Sequence, residues 1–101
     1  MASKPPGVMA APNRCRIQAK VLSLEQSARF PDKWHLKLTI LQAEALKGPM
    51  FAHVGSQVQA FAFFANAPSF TVNDIITAEA EYLGDAQRGR YQLDSIQPLP
   101  P

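Results

Sequence analysis

At 101 residues the chain has room for one domain with its own core and for no second one. Hydrophobic residues at 47% and charged residues at 18% match a folded soluble chain and exclude global disorder. The net charge of +2 is too small to argue for a polyanionic partner by itself, and a single cysteine, Cys15, excludes both an internal disulfide and a closed thiolate metal site.

The distribution of charge says more than its sum. Through residue 47 there are eight basic residues against three acids; after it there are two, Arg88 and Arg90, against five. If the early strands are neighbours, that asymmetry builds one positive wall. No apolar run reaches the length of a signal peptide or a membrane span, so the expectation is a cytoplasmic chain with no membrane partner.

Residues 1 to 13, with Pro5, Pro6, Gly7 and Pro12, read as a flexible leader. From Cys15 the chain alternates, with Ile17, Ala19 and Val21 on one side and Arg16, Gln18 and Lys20 on the other, which predicts a half-buried strand with a basic outer face. Leu22 and Leu24 break the phase, and in a strand this signals a bulge that exchanges the faces, a device closed barrels use to turn a corner. Gln26 to Lys33 is a loop. The second strand starts at Trp34, with Leu36, Leu38 and Ile40 inward and His35, Lys37 and Thr39 outward. Its phase reverses at Leu41. The helix-favouring run to Lys47 is read as more strand, closed by a turn at Lys47-Gly48-Pro49.

The central stretch, His53 to Phe64, sorts with a period of two: Val58, Ala60, Ala62 and Phe64 on one face, Gln57, Gln59, Phe61 and Phe63 on the other. A face carrying two amides and two phenyl rings is either a core seam or a platform for flat ligands. Residues 66 to 73 connect onward to a fourth strand, with Ile76, Ala78, Ala80 and Tyr82 inward. A glycine-bracketed loop, 84 to 89, leads to a fifth strand through Tyr91, Leu93 and Ile96, which the prolines from Pro98 on should end.

Five strands without a helix predict an all-β barrel or sandwich, taken as a small five-stranded antiparallel barrel spanning residues 14 to 97 with a Pro-rich tail from 98 to 101. The long bent strand from Arg16 to Leu24, the runs Val54-Gly55-Ser56-Gln57-Val58 and Asn73-Asp74-Ile75-Ile76, and the closing hairpin from Leu83 to Leu93 resemble the OB-fold group of oligonucleotide- and oligosaccharide-binding barrels. The chain departs from that group between strands three and four, where Ala65 to Asn73 has room for a turn and not for the helix that often plugs the barrel. An SH3-like barrel stays open as the alternative.

The resemblance implies ligands on the face of strands two and three. There the residues would assemble as Arg16 and Lys20, beside His35 and Lys37, beside Gln59, Phe61 and Phe63, with Trp34 as an edge contact. Cations follow phosphates and rings stack bases, so the expected activity is non-specific binding of single-stranded DNA or RNA by a monomer or weak dimer. On this reading, replacing Phe61 and Phe63 together by alanine removes binding and spares the thermal transition. The alternative is a protein-interaction barrel, with the rings as an apolar patch. No enzyme, cofactor or metal is expected. His35 and His53 lack metal-ligand spacing, Glu79 and Glu81 share a solvated face, and Cys15 has no activating neighbour.

Overall fold

The computed structural model describes residues 10–84 and 88–100. Its elements are β1 (Arg14–Gln26), β2 (Lys33–Lys47), β3 (Gln57–Phe63), β4 (Ile75–Gly84) and β5 (Gly89–Pro98), and among the described residues there is no helix. They close into a barrel in the order β1-β2-β3-β5-β4. The expectation of a purely antiparallel barrel is corrected at one seam, because β3 and β5 run parallel. Strand direction cannot alternate all the way round a closed ring of five, so at least one pair must be parallel.

The predicted phase breaks are bulges. Val21 lies opposite Leu38 and Ser23 opposite Lys37, so Leu22 is the extra residue and Leu24 returns to the core side. In β2, Gln42 lies opposite Gln18 and Ile40 opposite Ala19, which leaves Leu41 over and carries the strand on to Lys47. β5 outruns its expected end: Pro98 lies opposite Ile76, and the Leu99 amide donates to the Ile75 carbonyl at 2.8 Å. Proline loses only its own donor, and the next residue resumes the pairing.

The core holds Ile17, Val21, Leu38, Ile40 and Ile76, interleaved with Ala19, Ala60, Ala62, Ala78 and Ala80. That many alanines leave space near the barrel axis. Phe70 fills it, buried from the β3–β4 connection and packed edge-on to Phe64 at 5.8 Å. The connection is tied to β1 where that strand bulges, with the Asn73 amide donating to the Val21 carbonyl and the Val21 amide to that of Asp74. Because Phe70 supplies the missing volume, β3 need not turn its own phenyl rings inward.

Of the leader expected over residues 1 to 13, residues 1–9 lie outside the described residues, and Asn13 at its end packs against β4. Past the Cys15–Ala80 pair, β1 no longer covers the edge of β4. Asn13 covers it instead: its Oδ1 accepts from the Tyr82 amide at 2.8 Å, and its Nδ2 donates to the Tyr82 carbonyl at 3.1 Å. An amide side chain thereby imitates one rung of a β-ladder, which is why this polar residue is 7% exposed.

Candidate nucleic-acid interface

Register puts the outer residues of β2 and β3 side by side: Lys33 with Phe63, His35 with Phe61, Lys37 with Gln59 and Thr39 with Gln57. Gln92 of β5 completes the Phe61 row from the other side. Each of these side chains has outward parity, since the residues between them on β3, Ala60 and Ala62, belong to the core. The central question from the sequence is thus resolved: both phenyl rings leave the sheet on its outer face.

The two rings are not equivalent. Phe63 is 53% exposed, whereas Phe61 is 8% exposed although it lies outside the core cluster. Its cover comes from neighbours on the same face. The Lys33 Nζ stands 4.6 Å from the Phe61 ring centre and the Arg90 guanidinium 5.6 Å from it, and Phe63 meets it edge-on at 5.9 Å and 90°. These are cation–π and T-shaped contacts, in which the electron-rich ring face holds the cations and the ring edge meets the second ring. Phe61 forms the floor of the site and Phe63 its accessible ring.

A second exposed ring stands at the same end. In the β1–β2 loop, the Ser27 hydroxyl accepts from the Arg29 and Phe30 amides, and the Phe30 carbonyl accepts from the Lys33 amide at 2.9 Å. This turn leaves Phe30 52% exposed with the Arg29 guanidinium 5.7 Å from its ring. Three of the basic residues here, Arg29, Lys33 and Arg90, and the ring of Phe30 were absent from the sequence-based site. Lys33 and Arg90 have a legible signal only after pairing is known: the one falls opposite Phe63, the other next to the residue pair Ala60–Tyr91.

Other expected members stand elsewhere. Arg16 faces β4, 3.7 Å from Glu79, in a cluster where Arg14 also reaches Glu79 and Asp94 at 2.6 Å each. The acids of the second half of the chain thus absorb two cations of the supposed positive wall. The same carboxylates hold the Arg14 guanidinium protonated well above its ordinary range, through the hydrogen bonds it donates to Asp94 and then to Glu79. Lys20 is exposed on β1 between Thr39 and Ile75, at the margin of the face. Trp34 shares the inward parity of Leu36 and lies half-buried opposite Ala62 at the barrel's end, off the outer face. β1 contributes one carboxylate to the face, Glu25, opposite His35.

Beyond Phe61 the sheet parts. β3 and β5 pair only through Ala60–Tyr91 and Phe61–Gln92, and a groove of about 870 Å³ opens between β3 and the β4–β5 hairpin. Cys15 is buried, and desolvation pushes its thiol up against a weaker opposing pull from Arg14, which suits packing and not nucleophilic work. No helix among the described residues is long and apolar enough to cross a membrane, and no group of three His, Cys, Asp or Glu side chains there is placed to hold a metal ion.

Fold and face together define a small closed β-barrel with an aromatic and cationic outer surface. No protein-family model, curated protein or solved structure matches the chain, so the functional reading rests on this geometry.

Proposed function

We propose that this barrel binds single-stranded nucleic acid without sequence preference, on the outer face of β2 and β3. The observation that carries the reading is Phe63, half exposed and perpendicular to the ring of Phe61, over which Lys33 and Arg90 stand, with His35 and Lys37 in the adjoining rows. A base laid on Phe63 gains about 1–3 kcal/mol whatever its identity, because every base has a flat π-face. Lys33, Lys37 and Arg90 are placed to meet the phosphates on either side. The fold supports an OB-like assignment: β1, β2 and β3 are neighbours, and β5 inserts between β3 and β4 in Greek-key fashion.

The test is a titration with oligo-dT at several salt concentrations. Three phosphate contacts predict a slope of log K against log[salt] of about −2. Absence of binding, or a slope near zero, would instead favour a protein partner for the same rings.

A further inference from the structure

We infer that the chain forms a twofold-symmetric dimer by antiparallel pairing of the bare edge of β2, residues 41–47, with the same edge of a second copy, in a register centred on Ala45. The inference does not depend on the proposed nucleic-acid reading. β2 has neighbours on both sides only along its first half: β3 pairs with it from Lys33 to Thr39, and the last backbone bonds on that side join Ile40 to Ser56 and Gly55. β1 goes on pairing with it to Lys47, so from Leu41 onward one edge is paired and, among the described residues, the other is bare. The β2–β3 connection does not fold back over that edge. It turns at Gly48, with a φ of 67°, towards Pro12, where a side-chain carbon would overlap the Pro12 carbonyl, and then carries Phe51 across to stack on Tyr82 at 4.8 Å.

Backbone parity shows what the edge offers. Val21 bonds with Asn73 and Asp74 just before β4, so Ala19, Ile17 and Cys15, of the same parity, turn their backbone groups to β4. Arg16 and Gln18 therefore bond with Glu44 and Gln42, and Ala43 and Ala45 hold their N–H and C=O groups out from the bare edge. Unpaired groups in ladder geometry call for another strand. Charge selects which strand and which register. Gln42, Glu44 and Lys47 lie opposite Gln18, Arg16 and Arg14, with Leu46 the extra residue of a bulge, and neither Glu44 nor Lys47 has an ion partner among the described residues. Antiparallel pairing centred on Ala45 sets each Glu44 beside Lys47 of the other copy, twice over by symmetry, and lets the two Ala45 residues exchange both bonds; centring on Glu44 would set like charges opposite each other. The edge is thus complementary to itself, and strands β4, β1 and β2 of each copy join into one sheet.

A seam this short falls well under a standard interface, so the dimer depends on concentration and is not obligate. It leaves the outer face free, since Lys37 lies about 25 Å from Ala45 along the strand. The experiment is sedimentation of the full chain from micromolar to submillimolar concentration, over which the mass should rise from 11.1 kDa towards twice that value. Ala45→Pro removes an edge donor that meets only solvent in the single barrel, which an edge strand tolerates, and should leave a folded monomer. Lys47→Glu should weaken self-association about tenfold or more, through two repulsions per dimer, and the double exchange of Glu44→Lys with Lys47→Glu should restore it. Both of these side chains are exposed, so the exchange decides the matter even if Ala45→Pro does not fold. A chain that stays monomeric throughout, or a dimer that survives in a folded Ala45→Pro chain, would overturn the proposal. So would a double exchange that fails to recover what Lys47→Glu loses.

Discussion

The difference in exposure between Phe63 and Phe61 separates binding from stability and can be tested by truncating each ring alone. Phe63 is 53% exposed, so its truncation removes only about half of the 1.5–3 kcal/mol that a fully buried phenyl contributes, or about 1 kcal/mol. In a domain of this size that lowers Tm by about 4–8 °C. Phe61, 8% exposed and roofed by Lys33, Arg90 and Phe63, loses nearly the whole burial term together with cation–π and edge contacts, about 3 kcal/mol in all. Its Tm should fall by about 12–24 °C. Affinity for oligo-dT, followed through Trp34 fluorescence, should drop about 5- to 150-fold for Phe63→Ala, which corresponds to one lost stack. The double replacement should therefore lower the thermal midpoint, where two freely exposed rings would leave it in place. Phe63→Ala with unchanged affinity would refute the assignment of that ring to the ligand, and a Phe61→Ala chain as stable as the Phe63→Ala chain would refute its place as a floor.

Two predictions concern the barrel itself. Asn13→Ala leaves the Tyr82 amide and carbonyl without their partner at a buried edge, which costs about 1–3 kcal/mol and should appear as a lower thermal midpoint; an unshifted midpoint would mean that water replaces the clasp. Burial, and then the neighbouring Cys15 and Tyr82, push the Tyr91 hydroxyl from 10.0 up to about 12. A folded-state value raised above the unfolded one means full stability below pH 10 and its loss as pH rises through the folded value. Stability should thus fall by about 2 kcal/mol between pH 10 and 12 from this group, and Tyr91→Phe should flatten that part of the denaturant-midpoint profile.

Strands, bulges and the two faces of β3 were legible in the residues themselves, because a pleated chain alternates its side chains and any break in that alternation must be absorbed locally. The inward set Ile17, Ala19, Val21, Leu36, Leu38 and Ile40 and the extra residues Leu22 and Leu41 follow from a period of two, which also sorts Ala60 and Ala62 from Phe61 and Phe63 without saying which pair turns inward. What a period of two cannot contain is which strand lies next to which. The loss of Arg16 to Glu79, the arrival of Arg90 over Phe61 and the parallel seam that opens the groove depend on closure of the ring, which sets residues 29 to 63 positions apart against one another. Likewise the plug came from Phe70, in a connection with no periodic signal at all, and only the space left by the alanines of the interior decided that it would turn inward while Phe61 and Phe63 turned out.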